Sequence, residues 1–393
     1  MVPAATQFVW GVLLAGQGVL LAVLLWRLMP GRHRRPPIAP RAAPRSDTTV
    51  SVVLTTLNEA ERVGPCLEGL MHQQAPLLEV LVVDSNSTDG TRELVATAAA
   101  RDARIRLLTD PPLPPGWVGK VWALEAGLRE AQGEWVLGID ADTVPRPGLI
   151  GAVVDAADRD GYGVVSFSPQ FVEQTSAERL VQPAMLTTLV YRCGAVGVRQ
   201  PPPNRVLANG QCFLARRDVL LQHGGYAAVR ESFSDDVTLA RFLAARGIHV
   251  GFLDGSALIA VRAYTSLGQM WREWGRSFDL KDATPVWQRW LDVLLVWAVQ
   301  GAPFPLLVVL GVHAWRGAEL SMMFWIAIGI NGGAFALRLY MLWALRGSYD
   351  TRGLPYWSSW LADIAAAARL TWSTLRTPRI WRGRVFIPST LSS

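Results

Sequence analysis

Lysine is nearly missing from this 393-residue chain: Lys120 and Lys281 are the only two among 38 basic residues. Charged residues total 18%, against about 25% in an ordinary soluble protein. Cysteine is scarce as well. Cys66, Cys193 and Cys212 are too few and too scattered for a disulfide framework or a zinc cluster, and they fit a reducing compartment. No Gly-x-x-x-x-Gly-Lys-Ser/Thr loop occurs, and no Gly-x-Gly-x-x-Gly follows the first expected strand, which argues against a P-loop nucleotide site and a dinucleotide cofactor. A hydrophobic content of 50% excludes a disordered chain, and a mean hydropathy of +0.22 argues against a purely soluble enzyme. Tryptophan, by contrast, is abundant. Of 17, twelve lie from Trp271 onward, as expected where a chain meets a membrane interface.

Phe8–Met29 is an apolar run broken only by Gln17 and Arg27, long enough to span a bilayer. With no positive residue before it and no small-residue cleavage site after it, it reads as a retained anchor. Arg32, Arg34, Arg35, Arg41 and Arg45 follow in a Pro-rich stretch, and the positive-inside rule places them in the cytoplasm. Two further spans are expected at Leu291–Trp315, kinked by Pro303 and Pro305, and at Ser321–Leu345, whose Arg338 can snorkel to the cytoplasmic side. Arg376, Arg379, Arg382 and Arg384 put the end of the chain in the cytoplasm too. Leu354–Leu375 is amphipathic and Trp-rich and reads as an interfacial helix, a fourth span being the alternative. Leu180–Val198 is apolar, but Pro183 and Arg192 suggest contact with the membrane surface.

Between Asp47 and Leu258 the pattern changes to alternating strands and helices. Val50–Thr56, Leu78–Asp84, Ile105–Thr109 and Trp135–Asp140 read as buried strands; Ala60–Gln73, Asp89–Ala100 and Lys120–Ala131 read as helices. This order predicts a doubly wound, mostly parallel α/β sheet, in which ligands sit at the carboxyl ends of the strands. Glu59, Asp84, Asp140 and Asp142 fall at those ends, where carboxylates can bind a metal or hydrogen-bond a sugar and base.

Five segments occur in a specific order: Val50-Ser-Val-Val-Leu-Thr-Thr-Leu-Asn-Glu59, Val82-Val-Asp-Ser-Asn-Ser-Thr-Asp-Gly-Thr91, Gly116-Trp-Val-Gly-Lys-Val-Trp-Ala123, Asp140-Ala-Asp142 and Ser234-Asp-Asp-Val-Thr-Leu-Ala240. Over about residues 50–260 the chain resembles family 2 glycosyltransferases of the GT-A fold. The single anchor, the Gly-Trp-x-Gly-Lys loop, the late membrane pair and the basic Trp381-Arg-Gly-Arg384 tail look like the carotenoid 2′-O-glycosyltransferase and hopanoid-associated branch.

The resemblance implies site roles. Asp142 would contact a divalent metal, Mg²⁺ or Mn²⁺, and Asp140 the metal or the donor ribose; hard oxygen ligands suit both ions. Glu59 and Asp84 would hold the nucleotide, and Lys120 could meet phosphate at a helix start. Asp236 would be the base that accepts the acceptor proton, with Asp235 in support. Gly210 and Gln211 would line the acceptor side. Arg272 and Arg276 would clamp the diphosphate, or belong with Trp271 and Trp274 to an interfacial helix. Plainer readings stand beside these: a solvated Asp-x-Asp turn, a first-turn Glu59, a surface Lys120, Asp235 or Asp236 as a helix cap, and a simple turn at Gly210-Gln211. Processive relatives carry Gln-x-x-Arg-Trp after the base. Here Glu273 separates Arg272 from Trp274, and two late spans are few for a polymer channel, so single transfer is expected.

The expected organisation is an anchor over 1–30, a basic Pro-rich linker over 31–46, a GT-A domain over 47–260, an interfacial segment over 261–290, two spans over 291–345, and an interfacial helix with a basic tail over 346–393. The expected activity is inverting transfer of one sugar, from a UDP-sugar, to a membrane lipid, a carotenoid or other isoprenoid alcohol. Ceramide or glycerolipid and polyprenyl phosphate are the alternative acceptors. A non-catalytic membrane partner with a decayed transferase domain, or a transporter subunit, is the alternative class. Partners are then a nucleotide-sugar, a lipid and the bilayer, with no nucleic acid, at the inner membrane with the catalytic domain cytoplasmic.

Overall fold

The computed structural model describes residues 4–42, 47–198, 202–262, 264, 266–278, 280–317, 320–376, 380–381 and 384–385. The chain divides into two compact units. One, the helical unit, comprises Met1–His33, Glu173–Ala195 and Tyr264–Arg376; the other, the sheet unit, comprises Arg34–Val172, Val196–Ala263 and Thr377–Ser393.

The sheet unit is built on β1 (Val50–Thr56), β2 (Leu77–Asp84), β3 (Ile105–Thr109), β4 (Trp135–Asp140), β5 (Thr143–Pro145), β6 (Val164–Ser168), β7 (Gln170–Phe171), β8 (Phe213–Arg216), β9 (Val250–Asp254) and β10 (Ile259–Val261). Seven of them form one sheet in the order β3-β2-β1-β4-β8-β6-β9. β1 to β4 are parallel, β6 pairs parallel with β9, and β8 runs antiparallel to both its neighbours. The first strands are continuous runs of Val, Leu and Ile because helices cover both their faces. Val52, Leu54, Val80 and Val82 fill one layer, and Val53, Leu81 and Val83 the other. The register pairs Thr56 with Asp84 and Thr55 with Asp140, so the acidic strand ends align along one edge. A smaller sheet, β5-β10-β7, flanks the main one.

The Arg/Pro stretch in this unit is held along its length. The Arg35, Ile38 and Arg41 N–H groups donate to the carbonyls of Gly197, Asp254 and Gly148. Arg35 also pairs with Asp160 and lies over the Tyr162 ring.

In the helical unit, two helices among the described residues are long and apolar enough to cross a membrane, Gln7–His33 and Met322–Ser348. A third span is available if the pair Val286–Gly301 and Pro303–Trp315, bent by 44°, counts as one. The expected kink at Pro303 is present, preceded by a π-helical turn at Trp297–Gly301. Leu354–Leu375 is not one helix but a short turn at Leu354–Trp357, a 3₁₀ segment at Ser359–Ala362 and a helix at Asp363–Leu375.

Two expectations are corrected here. Leu180–Val198 was expected at the membrane surface; its residues up to Cys193 belong to the helix Ser176–Cys193, whose Pro183, Thr187, Thr188, Tyr191 and Arg192 are buried within the helical unit. Arg338 does not snorkel. It is 1% exposed, and its Nε donates to both carboxylate oxygens of Asp363 at 2.9 Å. Arg27 and Arg192 share Asp292 in the same way, at 3.0 and 3.5 Å. Pairing removes the penalty that an unpaired charge would carry among apolar helices.

Candidate active site

β1 and β2 end in two loops that are laced together. Asn58 and Asn86 adopt left-handed backbone angles, φ 55° and 61°, which short polar side chains tolerate and which turn the chain sharply at the strand ends. The Asn58 Oδ1 accepts the Thr88 N–H at 2.9 Å, and the Asn58 N–H donates to Ser87 Oγ at 2.9 Å. Asp89 ties the same loops by accepting the Ala60 and Thr91 N–H groups. The N-cap of Thr91–Arg101 is Gly90, not Asp89 as expected, because the left-handed turn falls one residue later.

Asp84 is fully buried at the end of β2. It accepts from Thr56 Oγ1 at 2.9 Å, from the Ser87 N–H at 2.9 Å and from Arg92 Nη1 at 3.0 Å. Ser87 and Arg92 are site residues that the sequence reading missed. Glu59 is buried beyond β1, beside Arg62 at 3.9 Å, and lies within electrostatic reach of Asp142.

Asp140 closes β4 and forms an ion pair with Lys120 Nζ at 2.7 Å. Lys120 stands in the first turn of Gly119–Glu130. Burial alone would depress its ammonium, but Asp140, Asp235 and Asp236 outweigh that and hold its pKa above the usual lysine value. Asp142 is different. Its Oδ1 is buried with no hydrogen-bond partner, and burial, with the charges of Asp140 and Glu59, pushes its pKa up to about 7. A buried carboxylate oxygen with no hydrogen-bond partner, near a second carboxylate, has the hard oxygen chemistry that suits a divalent cation. Among the described residues no group of three or more His, Cys, Asp or Glu side chains is placed to hold a metal ion.

Asp235 and Asp236 lie in the first turn of Asp235–Ala244. Asp236 Oδ2 accepts the Gly210 N–H at 2.7 Å, and its Oδ1 accepts the Val237 N–H at 2.8 Å. Burial raises both carboxyls, Asp235 to about 7, with Lys120 opposing the shift. A cavity of about 10 Å³, room for one water-sized group, lies between Lys120, Gly210, Tyr226, Asp235 and Asp236. A side chain at Gly210 would approach Lys120 Nζ to 3.0 Å, so glycine keeps this wall thin. Tyr226 was not anticipated; it follows a Gly-Gly pair with no chemical motif to mark it. Gln211 is held by Asn209, whose Oδ1 accepts its N–H and whose Nδ2 donates to its Oε1.

Thus Lys120, Asp140, Gly210, Asp235 and Asp236 converge, and Asp142 lies within electrostatic reach of both Asp140 and Glu59. Arg272 lies exposed on the helix Leu267–Phe278 of the helical unit. The Arg276 side chain lies outside the described residues.

Residues 51–224 match the sequence model of Glycosyl transferase family 2. The succinoglycan biosynthesis protein ExoA of Rhizobium meliloti (strain 1021) is 25% identical over 301 residues, 72% of this chain and 87% of ExoA. The succinoglycan biosynthesis protein ExoO of the same strain is 31% identical over 146 residues, 35% of this chain and 40% of ExoO, so the chain spans less than half of that relative. Among solved structures, the mannosyltransferase PcManGT from Pyrobaculum calidifontis, in complex with GDP-Man and Mn²⁺, superposes with a TM-score of 0.53 at 19% identity. The match covers 93% of this chain and 97% of that one, a likeness of fold. The sheet unit is a GT-A-like α/β fold.

Proposed function

We propose that this chain, whose residues 51–224 match the Glycosyl transferase family 2 model, is an inverting, non-processive glycosyltransferase of the carotenoid and hopanoid-associated type. It moves one sugar from a UDP-sugar to a hydroxyl of a membrane lipid, a carotenoid or other isoprenoid alcohol. The observation that carries the reading is the meeting of the Lys120–Asp140 pair with the Asp235–Asp236 pair across a small cavity.

Transfer forms a bond from the acceptor oxygen to the anomeric carbon and breaks the bond from that carbon to the diphosphate. The acceptor proton goes to Asp236, and UDP leaves with the electron pair. Two backbone N–H groups fix the Asp236 carboxylate, and burial lifts its proton affinity towards that of a working base. One displacement from the face opposite the leaving group inverts the anomeric centre. Asp84, buried and held by Thr56, Ser87 and Arg92, fixes the strand-end loops against which the nucleotide's base or ribose would lie. Lys120 places a cation where phosphate charge develops. Asp142, with Asp140, would hold Mg²⁺ or Mn²⁺, which when bound supplies positive charge to the diphosphate.

The apolar helices and the flanking Arg clusters support an inner-membrane, multi-pass protein with its catalytic unit in the cytoplasm. Lipid extracts of a strain expressing the chain, compared with an Asp236→Asn strain, test the reading. A new neutral glycolipid in the first and not in the second is expected. A glycosylated ceramide, glycerolipid or polyprenyl phosphate would replace the acceptor assignment, and no new glycolipid would refute the transfer.

A further inference from the structure

The cavity in the sheet unit owes its existence to a glycine in a buried strand. β4 runs Trp135-Val-Leu-Gly-Ile-Asp140, and strand alternation puts Val136, Gly138 and Asp140 on one face. Leu137 and Ile139 pack into one core layer and Val136 into the other. Gly138 leaves a gap in that second layer, two residues below Asp140. A Cβ at Gly138 would meet nothing nearer than the Phe213 carbonyl at 3.7 Å, with Leu124 Cδ2 and the Tyr226 hydroxyl at 3.9 Å. This gap opens into the space of about 10 Å³ that Lys120, Asp235 and Asp236 also line.

Tyr226 borders the space from a side chain only 4% exposed, and none of the hydrogen bonds among the described residues engages its hydroxyl. Its place is set by the backbone instead. The Tyr226 N–H donates to Glu125 Oε2 at 2.9 Å, and Gly225, at φ 61°, lets the chain pass a carboxylate that any side chain there would strike. Asp235, 7% exposed, lines the same space. A buried hydroxyl left without a partner costs stability unless something reaches it.

The edge of the space lies at the reacting groups. A Cβ at Gly210 would stand 3.0 Å from Lys120 Nζ and 3.6 Å from Asp236 Oδ2, so the cation and the base border one point. In an inverting displacement the anomeric carbon lies between the diphosphate, which Lys120 meets, and the acceptor oxygen, whose proton Asp236 takes. The transferred sugar must therefore rest against both residues.

We propose that this cavity is the subsite for one hydroxyl of the transferred sugar, and that Gly138 and Tyr226 select a donor with a bare hydroxyl at that position. The inference rests on the proposed transfer and narrows its donor. The lining suits such a group. Tyr226 gives or accepts one hydrogen bond, Asp235 accepts another, and Leu124 and Phe213 offer apolar surface to the carbon that bears the hydroxyl. The space holds one water-sized group, so a larger substituent such as an acetamido group is excluded from it.

The test is equilibrium binding to the full chain in detergent with Mn²⁺. The ligands are UDP, UDP-glucose, UDP-galactose, and analogues of both sugars that each lack one hydroxyl, with the tighter-binding sugar as parent. Removal of the seated hydroxyl should weaken binding about 2–10-fold in the wild type and by a smaller factor in Tyr226→Phe, which has already given up that hydrogen bond. Gly138→Ala adds a methyl that makes only ordinary van der Waals contacts, so the fold is kept while the cavity is filled. It should weaken the parent sugar about tenfold, leave UDP binding unchanged, and bind the analogue lacking the seated hydroxyl better than the parent. Wild-type, Tyr226→Phe and Gly138→Ala proteins that bind UDP but rank parent and analogues alike would overturn the subsite and leave the transfer standing. Folded protein that binds neither UDP nor any UDP-sugar would refute the transfer and the subsite together.

Discussion

Replacing Lys120 by Met removes a cation that the carboxylates Asp140, Asp235 and Asp236 share, at 2.7 Å from the first of them. Breaking a fully buried ion pair costs about 3–5 kcal/mol. The two side chains are 18% and 29% exposed, so solvent screening reduces this to about 2–3 kcal/mol. At about 2–4 °C per kcal/mol that is a fall of roughly 4–12 °C in Tm. The fall should depend on pH. Asp235 is raised from its usual 3.8 to about 7, so the native state binds more protons than the unfolded chain between those values. Stability therefore drops as pH rises through that window. Lys120 is held above its usual 10.5, so its own contribution is complete at any pH below that and does not shape the window. Without Lys120 the aspartates repel more strongly, and the drop steepens. Thermal unfolding in detergent at pH 8.0 and pH 5.5 should show a wide gap between wild type and Lys120→Met at the higher pH and less than half of it at the lower. Added Mn²⁺ should narrow the gap at pH 8.0. An equal Tm for the two proteins at pH 8.0, or a gap that widens on acidification, would refute the reasoning.

Other perturbations follow from single contacts. Asp236→Asn should lower kcat about 10²–10⁴-fold with UDP affinity kept, because the base is lost and its new amide also faces the Gly210 N–H donor to donor; an equal loss of UDP binding would move Asp236 to the donor side. Arg92→Ala should weaken UDP binding about 2–10-fold at every Mn²⁺ concentration, since it frees Asp84 and not the metal position; a changed Mn²⁺ requirement in titrations would contradict that. Asp363→Asn should destabilise the helical unit by about 3–5 kcal/mol, measured by thermal unfolding, by leaving Arg338 buried without its carboxylate. Gly275→Ala should cost about 1–3 kcal/mol in the same assay, because an added methyl collides with the Arg369 guanidinium packed against that backbone.

Much of the sheet was legible because its physics is local. Val50–Thr56, Ile105–Thr109 and Trp135–Asp140 are runs of β-branched and apolar residues bounded by turn formers, and the structure has strands over those same residues. The acidic strand ends were legible for the same reason: a parallel sheet places the residue after each buried run on one edge. β8 was not anticipated in its antiparallel place between β4 and β6, since Phe213–Arg216 is four residues long and its pairing is decided by partners far along the chain. Arg338 was misread because a lone arginine in an apolar run looks the same in sequence whether it reaches for water or for a partner. Its partner Asp363 lies 25 residues on, across a helix break that periodicity does not mark. Arg92 and Tyr226 escaped for a related reason, sitting in ordinary helix and turn sequence and gaining their places only through the hydrogen bond to Asp84 and the cavity lined with Asp235.

Sugar transfer requires a working donor site. The deciding measurement is equilibrium binding of UDP, with GDP as control, to the detergent-solubilised full chain and its Asp142→Ala variant, with and without Mn²⁺. The account predicts saturable UDP binding that requires Mn²⁺, exceeds GDP binding, and is lost in Asp142→Ala while the variant keeps its unfolding transition. Well-folded protein that binds neither nucleotide, or that binds UDP equally without Mn²⁺ and in the variant, would contradict it.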